Sequence, residues 1–276
     1  MKRYPTTLII AGSDSCGGAG IQADIKTCSA IGVYAATAIT AVTAQNTQGV
    51  RDIQAIDPLV VKQQIEAVLE DFTVDAIKIG MLCNATIANA VADVLVHCNH
   101  IPIILDPVMI STSGSILLSN DAVDVIVNRL FPLAEIITPN IDEACFLATT
   151  TIDDASQILL AAHKMLNLGW NSGLMKGGHL PGSMATDWLV TPHTHEKFSY
   201  PFIDTRNTHG TGCTLSSAIA AYRALGIPLA EAVKRAKEYL HQAIVHGADI
   251  DAGHGHGSLN HTYNPTPLVG IEYQPI

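Results

Sequence analysis

Short β-branched runs alternate with helical patterns along nearly the whole chain, and this alternation constrains the fold more than any other feature. TLIIAG reads as a strand, and AGIQADIKTCSAIG as a helix closed by Gly32. VYAATAITAVTAQ is a long strand, and DPLVVKQQIEAVLEDF a helix with an Asp-Pro start. AIKIGM, IPIILDPVM, AEIITPN and GLMKGG follow as strands. Helices fall between them in NATIANAVADVLVHC, SNDAVDVIVNRLFP, IDEACFLA and DDASQILLAAHKMLNLG. After Lys176 the pattern changes. ATDWLVTPHTHEKFSYPFI reads as two antiparallel strands around a turn at Pro192. GTGCTLSSAIAAYRALG and PLAEAVKRAKEYLHQAIVHGA read as two closing helices. Serial βα units bury their apolar faces by placing helices on both sides of one sheet. The expected fold is therefore α/β, a three-layer αβα sandwich with a mostly parallel central sheet. No linker, repeat or low-complexity tract divides the chain, so residues 1–276 are expected to form a single domain.

Charge and cysteine usage narrow the setting. A formal net charge of −10 argues against non-specific binding to nucleic acid or to an anionic membrane. A small phosphorylated ligand stays compatible, because a few local donors suffice to hold one. No stretch approaches the length of a membrane span, and the apolar run Leu8–Ala11 is too short for the core of a signal peptide. Cys16, Cys28, Cys83, Cys98, Cys145 and Cys213 are scattered and form no C-x-x-C pair. Reduced thiols in a cytoplasmic protein are expected, with no disulfide framework and no structural zinc.

In open parallel sheets, ligands gather beyond the carboxyl ends of the strands, and the chemically distinctive residues fall there. Neither G-x-x-x-x-G-K-[ST] nor a G-x-G-x-x-G after the first strand is present, so P-loop and dinucleotide readings lack support. HGTGCT is the phosphate-site candidate. Gly210 and Gly212 let the backbone approach an anion, and the helix starting there aims free N–H groups and a partial positive charge at it. An ordinary glycine turn before a helix has the same local pattern. Lys176 ends a strand just before Gly177 and Gly178, within reach of a phosphate or simply in a loop. Lys237 lies in the last long helix, where a surface lysine is the plainer reading. Asp106 follows IPIIL, while Asn140 and Glu143 stand i, i+3 across a helix start. Their oxygens suit Mg²⁺. They equally suit an N-cap and a first-turn acid. Gln45 ends a strand; its amide suits the amidine-like edge of an aminopyrimidine, or a backbone partner in a turn. GHGHGSLNH carries His254, His256 and His261 in a glycine-rich, flexible-looking segment without acidic or cysteine partners, so metal binding is not expected.

LIIAGSDSCGGAGIQADIKT, AITAVTAQNTQGV, KIGML, ILDPVM, TPNIDEA, MKGGH, NTHGTGCTLSSAIAA and GHGHGSLNH follow one another in consistent order. Together they resemble the bacterial hydroxymethylpyrimidine/phosphomethylpyrimidine kinases of thiamine biosynthesis, within the ribokinase-like superfamily. That superfamily's usual motif ends in Gly-Ala-Gly-Asp; here NTHGTGC takes its place, with Cys213 at the position of the base aspartate. The resemblance implies ATP-dependent phosphorylation of 4-amino-5-hydroxymethyl-2-methylpyrimidine, then of its monophosphate to the diphosphate. It implies that Gln45 binds the pyrimidine edge, that Gly12 and Asp24 line that pocket, and that Met81 and Val108 are apolar walls. Asn140, Glu143, Lys176, Thr208 and Lys237 match the nucleotide region, and Asp106 and Glu143 the Mg²⁺ region. The backbone of Gly210, Thr211 and Gly212 would form an anion hole beside Cys213, with Lys176 stabilising the transferred phosphoryl group. ATP, Mg²⁺ and a homodimer are implied. A helix N-terminus is expected to lower the Cys213 pKa, so that the thiol accepts or relays the substrate hydroxyl proton. Cys16 and Ser258 depart from residues common in the family, and some relatives carry glutamate at the Gln45 position. Two other readings stay open: a pyridoxine or pyridoxal kinase of the same superfamily, and a non-catalytic pyrimidine sensor.

Overall fold

TTLIIAGSD presents apolar side chains to both faces, a pattern that suits a strand covered on both sides. The computed structural model describes residues 2–109, 118–152, 154–167, 169–178 and 182–272. Its strands are β1 (Lys2–Arg3), β2 (Thr6–Asp14), β3 (Tyr34–Asn46), β4 (Gly49–Ala55), β5 (Ala76–Ile79) and β6 (Ile103–Leu105). They continue with β7 (Ile136–Ile137), β8 (Gly173–Lys176), β9 (Met184–Val190), β10 (His195–Pro201) and β11 (Ile271–Glu272). The helices are α1 (Gly20–Ile31), α2 (Pro58–Asp71), α3 (Ala85–Leu95), α4 (Asn120–Val125), α5 (Ile141–Ala148), α6 (Ala155–Leu166), α7 (Thr211–Ala224) and α8 (Leu229–Val245).

Nine strands form one sheet in the order β10-β9-β8-β7-β6-β5-β2-β3-β4. The run from β3 to β8 is parallel, and β4, β9 and β10 add antiparallel margins. Alternate residues of β2 enter different cores. Leu8 and Ile10 join the cluster under α2, α3, α5 and α6, while Ile9 and Ala11 join the one under α1, α7 and α8. The molecule is thus the expected three-layer sandwich.

Local chemistry sets the helix boundaries. Asp57 caps α2 by accepting from Leu59 N, with Pro58 in the first turn. Gly32 closes α1 in the left-handed region at φ 88°. The helix expected over SNDAVDVIVNRLFP is shorter than its pattern: α4 passes into a π turn at Ile126–Leu130 and a 3-10 turn at Phe131–Leu133 that contains Pro132. Strand β4 was not apparent in the sequence, since GVRDIQA has few apolar residues to mark it. It folds back on β3 as an antiparallel ribbon, and a register shift between Ala44 and Gln45 re-aims Gln45 at its tip.

Candidate active site

The carboxyl ends of the parallel strands and the start of α7 enclose a cavity of about 810 Å³. Gly12, Gln45, Met81 and Val108 line it, as do Asp106, Asn140, Glu143, Lys176, Thr208, Lys237 and residues Gly210 to Cys213.

Gly210 adopts φ 87°, and a Cβ there would collide with the Gly18 carbonyl, so only glycine fits. Thr211 N donates to Thr208 O at 3.3 Å and Thr214 N to Gly210 O at 2.8 Å. Among the described residues, the N–H groups of Gly212 and Cys213 have no acceptor. They form a two-donor anion site at a helix start. A Cβ on Gly212 would lie 3.3 Å from Lys176 Nζ and 3.4 Å from Asp106 Oδ2, so the loop rests directly on that ion pair.

Lys176 Nζ donates to Asp106 Oδ1 at 2.8 Å, and Thr138 Oγ1 donates to the same oxygen at 3.1 Å. Burial disfavours the ammonium, but Asp106 and Glu143 beside it hold its pKa above the ordinary lysine value. Asn140 and Glu143 form a reciprocal cap at the start of α5: Glu143 N donates to Asn140 Oδ1, and Asn140 N to Glu143 Oε2, both at 2.8 Å. The capping reading and a place on the cavity wall therefore coexist. Burial pushes the Glu143 carboxyl up to about 7, with Lys176 opposing and Asp106 adding.

Four expectations need correction. Asp24 does not line the cavity. It lies on the inner stripe of α1 with Ile21, Cys28 and Ile31, fully buried, bonded to Lys78 Nζ at 2.8 Å and Ser217 Oγ at 2.6 Å. Nor is the Cys213 pKa lowered. Burial pushes the thiol up to about 11; Lys78 opposes, and Asp24 and Asp106 add to the rise. The Gly20 N–H, which favours the thiolate, lowers it by less than this desolvation raises it. The glycine-histidine segment near the C-terminus is anchored rather than loose. Gly255 N donates to Thr47 Oγ1 at 3.1 Å, His256 N to Thr47 O at 2.8 Å, and His209 N to Gly257 O at 3.0 Å. Lys237 is no surface lysine either: it is buried and donates to Asp187 Oδ2 at 2.6 Å. His179 of MKGGH lies outside the described residues.

Sequence reasoning missed Lys78, Asp187, Asp14 and His209. Asp14 accepts from Cys16 N, Gly18 N and Ala19 N at 2.8 to 3.0 Å, and its Oδ2 lies 2.9 Å from His209 Nε2. Cys16 completes a trio whose ligand atoms lie within 4.8 Å of one another. The carboxylate is already bonded to the imidazole and to three backbone N–H groups, so the trio reads as a bonded turn. Asp14 and His209 stand in glycine-rich stretches, AGSDSCGG and NTHGTGC, where no local pattern pairs them.

A helix N-terminus with free N–H groups beside a lysine-carboxylate pair, at the carboxyl end of a parallel sheet, is a phosphate-handling site of the nucleotide-dependent α/β enzyme class. The family model described as phosphomethylpyrimidine kinase matches residues 14–260. A hydroxymethylpyrimidine/phosphomethylpyrimidine kinase of Rhizobium meliloti is 46% identical over 255 residues, covering 92% of this chain and 96% of the relative. The crystal structure of a phosphomethylpyrimidine kinase from Clostridium difficile is 45% identical at a TM-score of 0.77, covering 87% of this chain and 99% of that one. A Staphylococcus aureus pyridoxal kinase, solved with AMP-PCP and pyridoxal, is 29% identical at a TM-score of 0.85, covering 94% of each chain. The chain belongs to the phosphomethylpyrimidine kinase family, and its sandwich is ribokinase-like.

Proposed function

We propose that this chain uses ATP to phosphorylate 4-amino-5-hydroxymethyl-2-methylpyrimidine, and then the monophosphate to the diphosphate, for thiamine biosynthesis. The observation that carries the reading is the pair of free N–H groups at Gly212 and Cys213, set against Lys176 and Asp106 in one cavity. Phosphoryl transfer needs positioning and charge stabilisation more than covalent chemistry. The anion loop of Gly210, Thr211 and Gly212 would hold the transferred group, and Lys176 would turn from Asp106 toward its oxygens. Asn140, Thr208 and Lys237 would flank the nucleotide, Lys237 keeping Asp187 as its counter-ion. Gln45 would meet the pyrimidine edge, with Gly12, Met81 and Val108 around the ring.

Mg²⁺ fits this donor set. Asp106 and Glu143 offer hard carboxylate oxygens on the cavity wall, and such an ion needs few protein ligands when phosphates and water supply the rest. When bound, it would neutralise phosphate charge. Cys213 is a neutral thiol at pH 7 in the protein alone, so taking the hydroxyl proton requires that bound cations first draw its pKa down. The second acceptor is already a phosphate and needs little deprotonation. Cys213→Ala should therefore slow the first transfer more than the second. Equal losses would place its role in the anion loop.

A single kinase domain spanning 1–276 in the cytoplasm is supported by the unbroken sheet and by six unpaired cysteines. No helix among the described residues is long and apolar enough to cross a membrane. The homodimer rests on the family resemblance. Pyridoxal kinase is the second reading, favoured by the high structural similarity to the S. aureus enzyme; the lower sequence identity weighs against it. An ATP-dependent product assay on the aminopyrimidine alcohol, its monophosphate and pyridoxal separates the two. The first two should be consumed in preference to pyridoxal. Preference for pyridoxal would overturn the assignment, and no turnover of any would revive a binding-only sensor.

A further inference from the structure

Gln45, Thr43, Ser13, Asp14 and His209 all line the cavity, and their hydrogen-bonding groups favour one sense of the Gln45 amide. His209 Nε2 lies 2.9 Å from Asp14 Oδ2. Burial would raise the Asp14 pKa, but the His209 bond and the N–H groups of Ala19 and Cys16 outweigh it and hold the carboxyl below its ordinary value. Asp14 is therefore ionised at neutral pH, and the imidazole nitrogen facing it carries the hydrogen.

That hydrogen decides what can stand opposite. As placed, Gln45 Nε2 lies 3.4 Å from His209 Nε2 and Gln45 Oε1 lies 3.2 Å from Thr43 Oγ1. Thr43 Oγ1 also lies 3.1 Å from Ser13 O, a pure acceptor that takes its one hydrogen. With Nε2 toward His209, two donors would face each other, and Thr43 would need to serve two acceptors with one hydrogen. With Oε1 toward His209 and Nε2 toward Thr43, no two donors face each other: Thr43 gives its hydrogen to Ser13 O and accepts from Nε2, while the His209 N–H, given to Asp14 at 2.9 Å, also faces Oε1 at 3.4 Å. Amide oxygen and nitrogen are nearly the same size, so the bonding network decides the sense.

The imidazole that sets this sense is itself fixed. A Cβ on Gly18 would run into the His209 ring, and His209 N is tied to Gly257 O. After these bonds, Gln45 retains one acceptor lone pair on Oε1 and one N–H on Nε2. That pair matches a ring in which an exocyclic amine donates and the adjacent ring nitrogen accepts. It repels the reverse pattern of a carbonyl beside a ring N–H.

We infer that Asp14, His209 and Thr43 are positioning residues that lock the orientation of the Gln45 carboxamide, so that the site selects a 4-aminopyrimidine over its 4-oxo counterpart. This rests on the proposed pyrimidine substrate and deepens it by assigning the selectivity to residues outside the direct contact. A polar site discriminates through the groups that a wrong ligand leaves mismatched.

The test compares kcat/KM for the 4-amino alcohol and its 4-oxo analogue in the wild type, His209→Phe and Thr43→Val. Phe keeps a flat ring against Gly18 without the N–H; Val keeps the shape of Thr without the hydroxyl. With a pin removed the amide can turn to suit either ring. The amino-to-oxo ratio should fall by about tenfold or more in His209→Phe and by roughly threefold or more in Thr43→Val. A merely structural role lowers both substrates by the same factor, and an unchanged ratio would overturn the inference. If His209→Phe does not fold, Thr43→Val alone decides. If the wild type turns over neither pyrimidine, the substrate assignment fails by itself. Calorimetric binding of the two rings to the same variants then still reads whether the amide is locked.

Discussion

Lys78–Asp24 and Lys176–Asp106 are both ion pairs of 2.8 Å between a strand lysine and an aspartate near α7. In the first, both side chains have 0% exposure; in the second, the lysine keeps 15% and opens on the cavity. Burial works against the Lys78 charge, yet Asp24 beside it holds its pKa above the usual lysine range. With no route to solvent, neither member can exchange its partner. Lys176 can trade Asp106 for a phosphate, because anion and ammonium meet in the same open space. The difference teaches that access, rather than the pairing itself, separates a structural charge pair from a functional one.

The closed pair is broken by Lys78→Met, which strands a buried carboxylate. The expected loss is about 3–5 kcal/mol of stability, read by urea unfolding, with much of it recovered in Lys78→Met/Asp24→Leu. A smaller effect follows from moving the open region's wall while leaving both pairs alone. A Cβ at Gly255 would press into the Thr47 carbonyl, so Gly255→Ala should cost about 1–3 kcal/mol and raise KM for the pyrimidine more than for ATP. Steady-state kinetics beside a thermal melt check it. The mildest probe is the thiol between the two pairs. With its pKa near 11, Cys213 should react slowly with iodoacetamide at pH 7.5 and faster toward pH 11. Its folded pKa lies above the unfolded value of about 8.5, so the native state binds the extra proton and stability falls as pH rises from about 8.5 toward 11. Peptide-resolved alkylation across that range reads the first effect, and urea midpoints the second.

The layers were legible because β2 and its parallel neighbours are rich in apolar and β-branched residues, and the helices between them keep a 3.6-residue period. β4 was not, since a ribbon at a sheet margin needs no apolar face. HGTGC announced its loop through Gly210, whose left-handed backbone and contact with Gly18 leave no other choice. Asp24 was misplaced because a motif gives spacing along the chain but not the side of the helix a residue faces. Asp187 and Lys237 are fifty residues apart, and Asp14 and His209 nearly two hundred, so no local pattern could pair them. The Cys213 pKa eluded the sequence for a related reason: the helix end is local, whereas Asp24, Asp106 and the surrounding burial come from the tertiary fold.

The central claim is that the open pair serves the chemistry and the closed pair serves the fold. Lys176→Met tests it most directly, with kcat for both phosphorylations measured beside the urea midpoint. The account predicts that kcat falls by roughly 10²–10³ in both steps while the stability loss stays well below that of Lys78→Met, because Asp106 keeps its Thr138 bond and borders a cavity that water can enter. A kcat within threefold of wild type, or a stability loss as large as that of Lys78→Met, would contradict it.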